Sequence, residues 1–510
     1  MCQPPTEDVA REMLGPAISR DVSVSKVQPI HSDRPMRVHQ VLLSDGNTLH
    51  LVLPPLPMWR PLRAEQDMLT YEAVTVRWIR ETLARGDGFS EGLKASSSSP
   101  TTESDSVAAL VLPLLPILLR HGQKSHLPDS SSFAVYEPTR GTSLSLLPTA
   151  TQPTPVAQQD INRQLGTLFR SLATLTAPTG RFGPVAAVVA GGTTNTQERS
   201  HHHHRLGEGA AKLLKGLMEG GLAATGGAGT WSVAFHSMLE GALRDGEDMA
   251  VVIPYPTIRR HFRRLGYLLD DVTTARLVVV EGAERGNVLV ATAEGVTAST
   301  REAGGGNNGK DSGQQEGKDV ESGKKAADTT NEEQRGPPEL NQRGEANNQT
   351  GQQHQRQQSL NVTGLRDWSS AIFGDPLLAT IFSDPVSHQQ PPPPTFLEGF
   401  NAEKPDTGPD HDPQASSHLP YPLDGTILEG VDTAWVRLLL YQVYHTVTRI
   451  VGEFYRPRQD SGARELEARR KLNEVLAKLA EVPDDVKRRH RRPSGEMSPA
   501  KRPRSGDGEW

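Results

Sequence analysis

The hydrophobic positions of this 510-residue chain fall into short blocks of two periods, set apart by polar stretches with few apolar residues. Val38–Leu43 and Leu49–Leu53 flank Ser44-Asp45-Gly46-Asn47, a turn signal between apolar runs, and predict a β-hairpin. Leu62, Met68 or Leu69, Ala73, Val76, Ile79 and Leu83 recur near every 3.6 residues and predict a helix over about 61–83. The continuous apolar run Val107–Leu119 and the block Phe133–Pro138 read as further strands. Beyond residue 160 the helical period dominates. It predicts helices over 161–175, 231–244, 255–269, 431–455 and 465–479. Between them lie two strand-like blocks, Arg276–Val280 and Val288–Val290, and a third at Val362–Leu365 after a long polar gap.

The polar stretches set the domain plan. Residues 297–359 are Gly, Asn, Gln, Lys and Glu with almost no apolar side chains, too few to offset the entropy of ordering the chain. Residues 87–106 and 190–229 are rich in small residues, and 384–425 carries Pro391–Pro394. The plan is therefore an N-terminal segment 1–36, partly ordered, and a small lobe 37–138 with a flexible insertion at 87–106. A larger lobe 139–480 carries insertions at 190–229, 297–359 and 384–425, and a disordered basic tail fills 481–510. A hydrophobic share of 35%, with 47 glycines and 39 prolines, fits a core diluted by such insertions.

Charge and cysteine usage narrow the classes. A net charge of −6 gives no overall drive toward nucleic acid or membrane. A single cysteine, Cys2, rules out an internal disulfide and a cysteine-based zinc site. The run Val107–Leu119 is shorter than the ~20 residues of a membrane span, and the first residues lack the pattern of a signal peptide. The expectation is a soluble protein of cytoplasm or nucleus. The clusters Lys487–Arg492 and Lys501–Arg504 have the shape of a nuclear-import signal for an import receptor, or of a plain basic tail. His201–His204 is read as a compositional run rather than a metal site.

The candidate chemistry lies between Arg276 and Pro376. If Val288–Val290 and Val362–Leu365 pair as an antiparallel hairpin, Asn287 and Asp367 share one end of it. An amide oxygen beside a carboxylate can hold Mg²⁺, and the insertion leaves from the opposite end.

The motifs Gly286-Asn287-Val288-Leu289-Val290, Asp367-Trp368 and Gly374-Asp375-Pro376 resemble those of the aminoglycoside phosphotransferase family, relatives of choline kinases and protein kinases. The resemblance implies an α+β, two-lobed protein kinase-like fold, with a small β-rich N-terminal lobe and a larger helical C-terminal lobe. It implies ATP and Mg²⁺ as cofactors and a small-molecule hydroxyl substrate. Asn287 and Asp367 would hold the metal, Glu72 would serve the nucleotide site, and Glu281 would act on the acceptor hydroxyl. The chain departs from the pattern at three places. The catalytic aspartate position is Gly282, no histidine precedes it, and the strand position of the nucleotide lysine is Val52. The alternative is a catalytically inactive, pseudokinase-like binding or scaffold protein.

Overall fold

A computed structural model describes residues 4–30, 34–56, 58–85, 100–123, 132–195, 226–292, 359–386, 391–401, 419, 421–423, 425–484 and 486. The segment 297–358, the His201–His204 run and residues 487–510 of the basic tail lie outside the described residues, whereas 481–484 and 486 are described and Val482 and Val486 are buried.

The N-terminal lobe is built on a five-stranded antiparallel sheet in the order β1-β2-β3-β5-β4. The strands are β1 (Val24–Ile30), β2 (Arg37–Leu43), β3 (Thr48–Leu53), β4 (Leu118–Gln123) and β5 (Ser132–Tyr136). The predicted hairpin is β2–β3, in register from Arg37↔Leu53 to Leu42↔Thr48. Side chains alternate across the sheet as the pleat requires. Val41, Leu43, Leu49, Leu51, Phe133 and Val135 face one side and pack on Ala10, Met13 and Leu14 of α1 (Glu7–Leu14). Val52, Ala134 and Tyr136 face the other side, where Leu69 of α2 (Met68–Arg85) meets them. Burying one Leu or Met side chain in this way contributes about 1.5–3 kcal/mol.

Two expectations for this lobe change. The segment before residue 37 holds a whole helix and the edge strand β1; Pro29 within that strand is tolerated because an edge leaves its missing N–H unneeded. The run Val107–Leu119 is not one strand. It is the end of helix α3 (Pro100–Val111), a 3₁₀ turn at Leu112–Leu114, and then β4 from Leu118. Pro113 and Pro116 interrupt the run, and period alone does not separate a buried helix end from a strand.

The C-terminal lobe is mainly helical: α4 (Pro155–Thr174), α5 (Val185–Asn195), α6 (Trp231–Asp248), α7 (Tyr255–Leu265), α8 (Thr380–Ser383), α9 (Pro394–Asn401), α10 (Ala434–Tyr455) and α11 (Ser461–Glu481). Two small three-stranded sheets carry the loops of interest. They are β10-β9-β6 and β7-β11-β8, from β6 (Thr142–Ser143), β7 (Gly183–Pro184), β8 (Arg276–Val279), β9 (Val288–Thr292), β10 (Leu360–Leu365) and β11 (Ala371–Gly374). The long α10 runs through the core, where Tyr441 and Tyr444 meet Phe235 at ring-centroid distances of 5.1 and 5.8 Å.

Within the stretch 384–425, residues 394–401 differ from the expected extended, mobile state. Their helix α9 packs on α4, with Phe396 and Phe400 buried. Gly166 and Gly399 sit at that crossing. A Cβ on either would run into the other helix's backbone, at Phe396 O and Arg163 O respectively, so glycine lets the two backbones touch. Among the described residues no helix is long and apolar enough to cross a membrane.

Candidate functional site: a cleft with a bridging arginine

Two loops of the C-terminal lobe form one wall of the cleft. The first runs from the end of β8 to the start of β9, through Glu281, Gly282 and Asn287. The second follows β10 and carries Asp367. The Arg366 N–H donates to Asn287 O, so the end of β10 lies beside the start of β9, as a hairpin requires. Asn287 then closes a reciprocal clasp. Its Oδ1 accepts the Asp367 N–H at 2.6 Å, and its Nδ2 donates to Asp367 O at 3.0 Å and to Glu281 O at 3.2 Å. The hairpin geometry read from the sequence therefore brings Asn287 and Asp367 together.

The Asp-Pro motif after β11 is structural. Asp375 Oδ1 caps the turn through the Leu377 N–H at 3.1 Å, while Oδ2 accepts from Arg437 Nε at 2.9 Å and Tyr441 Oη at 2.8 Å. Asp375 and Arg437 are 1% and 0% exposed, a buried pair that fixes this loop to α10.

The residue at the centre of the cleft is one that the sequence reading passed over. Arg34 lies between β1 and β2 and reaches into the C-terminal lobe. Its Nη2 donates to Glu72 Oε2 at 2.8 Å and its Nη1 to Glu72 Oε1 at 3.4 Å. Its Nε lies 2.9 Å from Asp367 Oδ2, and Nη1 also donates to Arg366 O at 2.8 Å. Arg34 is 11% exposed, Glu72 2% and Asp367 20%. Burial opposes the Arg34 charge, but Asp367 and Glu72 outweigh it and hold the guanidinium far above its usual range. Burial likewise pushes the Glu72 carboxyl up while Arg34 pulls it back, and the two-point contact is that of an ionised pair. Glu72 thus has a cationic partner, and it comes from Arg34 rather than from the strand position Val52.

Other cations near the cleft do not serve this place. Arg63 pairs with Asp245 at 2.6 Å, and Arg60 with Asp248 at 3.2 Å. His50 faces an inner pocket, where burial lowers its pKa. Arg34 escaped notice because β1 reads as polar, which hid the strand–loop–strand that aims it. An Arg-Pro pair between two strand-length segments was the available signal.

Mg²⁺, implied by the resemblance, does not fit the donors as arranged. Asp367 Oδ2 faces Arg34, Asp367 Oδ1 accepts the Ser369 N–H at 2.8 Å, and Asn287 Oδ1 accepts the Asp367 N–H. Among the described residues no group of three His, Cys, Asp or Glu side chains is placed to hold a metal.

Two hollows meet at Arg34. The outer cleft has a volume of about 860 Å³ and is lined by Glu65, Glu281, Glu284 and Asp367 together with Arg34, Arg366, Arg456 and Arg458, with Trp59 and Tyr455 at its wall. The inner pocket, about 240 Å³, lies between Val38, Val52 and Tyr136 of the sheet and Leu289 of β9, beside the connection Thr139–Ser143. The Tyr136 hydroxyl is buried there without a hydrogen-bond partner among the described residues. Glu281 opens to the outer cleft. Desolvation by the cleft wall, then Glu284, Asp367 and Glu65, push its carboxyl up to about 7. Because the side chain is solvent-exposed, water moderates the desolvation part, and the like charges are the firmer cause. Gly282, the position of the family aspartate, is buried, and a Cβ there would meet the Phe169 ring at 2.9 Å.

The chain is structurally similar to phosphotransferases. A thermostable mutant of an aminoglycoside phosphotransferase, in its apo form, aligns at 12% identity and a TM-score of 0.38, over 94% of this chain and 100% of its own. A putative fructosamine-3-kinase from Thermobifida fusca aligns at 13% and 0.39, over 92% and 98%. The GDP complex of an aminoglycoside 2′-phosphotransferase mutant aligns at 11% and 0.38, over 93% and 99%. No protein-family profile and no curated protein matches the chain.

Proposed function

We propose that this chain is a phosphotransferase-like domain that binds a nucleotide in the cleft between its lobes and acts as a binding module. The observation that carries the reading is the inner pocket. Leu289, Val38 and Val52 give it apolar walls, suited to a ligand's ring, and Thr139, Gly141, Thr142 and Ser143 line its edge. The buried Tyr136 hydroxyl lacks a partner, an arrangement that costs stability unless a ligand atom supplies the bond. The ring of such a ligand would leave its phosphates toward the four arginines of the outer cleft. Gly282 in place of the aspartate, and Arg34 across the carboxylates, favour binding over turnover.

A second reading is phosphoryl transfer to the hydroxyl of a small molecule, and one observation supports it. Glu281 opens to the cleft with its carboxyl raised to about 7, a range suited to a general base. It would take the hydroxyl proton as the acceptor oxygen bonds to the terminal phosphorus and the bridging P–O bond breaks, leaving the nucleoside diphosphate.

Thermal melting of the full chain with ATP, paired with an assay of terminal phosphate transfer, tests both readings. Ligand at 100 times its Kd adds about 2.7 kcal/mol to stability, a visible shift. A shift with no phosphate release supports the binding module, release that fails in Glu281→Gln supports transfer, and no shift at any ATP concentration refutes both.

A further inference from the structure

We propose that Arg34 is a resident cation: its guanidinium bridges Glu72 and Asp367, occupies the Asp367 oxygen that a divalent metal would use, and keeps metal out of the cleft. The inference rests on reading Asn287 and Asp367 as the metal-ligand positions of a nucleotide site. It adds that this site works with an arginine instead, so that its ligand binds without Mg²⁺.

Three observations carry it. First, one side chain satisfies both carboxylates. Arg34 contacts Glu72 through two nitrogens, at 2.8 and 3.4 Å, and Asp367 through Nε at 2.9 Å. A divalent ion bound to Asp367 would lie within a few ångströms of that guanidinium, and like charges so close repel strongly. Second, Arg34 cannot leave without consequence. Glu72 is 2% exposed, and withdrawing its partner would strand a buried charge. Third, the oxygens a metal would use already accept N–H groups of the loop. Asp367 Oδ1 accepts from the Ser369 N–H, and Asn287 Oδ1 from the Asp367 N–H at 2.6 Å. Mg²⁺ demands near-octahedral oxygen ligands at about 2.0–2.1 Å, and here it would have to share each of these oxygens with an N–H donor. Arg34 also comes from the turn between β1 and β2, with Pro35 after it restricting its backbone toward the extended region.

Mn²⁺ alone, followed by electron paramagnetic resonance on the full chain, separates this proposal from the nucleotide reading. Wild type should take up no Mn²⁺ at this site. Arg34→Gln should bind it at least tenfold more tightly than wild type, and adding Asp367→Asn should cancel the gain. Since Glu72 loses its partner in Arg34→Gln, the double variant Arg34→Gln/Glu72→Gln gives the same test without a stranded charge. Mn²⁺ binding by wild type that Asp367→Asn abolishes would overturn the proposal, and so would Arg34→Gln variants that stay folded yet gain no Mn²⁺. In a parallel melt with ATP, wild type should shift equally in EDTA and in Mg²⁺. A shift that appears only with Mg²⁺ also overturns it. No ATP shift in either, with the Mn²⁺ results as expected, defeats the nucleotide reading and leaves the role of Arg34 standing.

Discussion

Asn287 and Asp367, eighty residues apart in sequence, exchange hydrogen bonds as two residues of a ladder do. The side chain of one stands in for a backbone, accepting an N–H at 2.6 Å and donating to a carbonyl at 3.0 Å. The side-chain amide does both from two separate atoms, which an ionised carboxylate cannot. We therefore predict that Asn287→Asp is at least as harmful as Asn287→Ala. The acid cannot donate, and it faces the carbonyls of Asp367 and Glu281. Each substitution should cost about 1–3 kcal/mol in a urea melt. A neutral Asn287→Asp would show that the clasp does not hold the loops.

Gly282 stands where the resemblance read from the sequence would place an aspartate, and one change tests that position. A side chain there points at Phe169 rather than at the cleft, with its Cβ 2.9 Å from the ring. Gly282→Asp is expected to lower stability by about 1–3 kcal/mol through overpacking, more if the carboxylate stays charged. It should confer no phosphate transfer from ATP. Gain of transfer with an unchanged melting temperature would mean that the loop presents this position to the cleft after all.

The raised carboxyl of Glu281 links stability to pH. Its value moves from 4.5 to about 7, so between these limits the folded chain keeps a proton that the unfolded chain has lost. Stability should then fall as pH rises through that window. Glu281→Gln should remove this slope and be the more stable of the two above pH 7. Denaturant melts of both proteins at pH 5 and pH 8 decide it. Parallel losses in wild type and variant would mean that Glu281 titrates as an ordinary glutamate.

Much of this architecture was legible in the sequence where pattern and turn chemistry agree. The β2–β3 hairpin was readable because Asp45-Gly46 sits between two alternating runs, and Asp45 does accept the Asn47 N–H at 3.0 Å. The pairing of Asn287 with Asp367 followed from strand direction alone. What escaped was of two kinds. Strand β1 alternates weakly and contains Pro29, since an edge strand needs neither full burial nor every N–H. The apolar run ending at Leu119 changes from helix to strand at its prolines, a switch that hydrophobicity does not encode. The cost of missing β1 was functional. Without that strand nothing in the pattern marks Arg34, whereas the strand delivers it to two carboxylates.

The hairpin of β9 and β10 separates two roles along its length. At one end it clasps Asn287 to Asp367; at the other, after Thr292 and before Leu360, the chain departs and returns. Covalent continuity and cleft assembly are therefore independent. A break in the chain beyond Thr292 would leave Arg34, Glu72 and Asn287 on one fragment and Asp367 on the other, rejoined at the cleft through hydrogen bonds and ion pairs such as Arg34–Asp367 and Arg456–Glu65. The cleft is thus divisible into two pieces, and its completed geometry exists only when both halves meet.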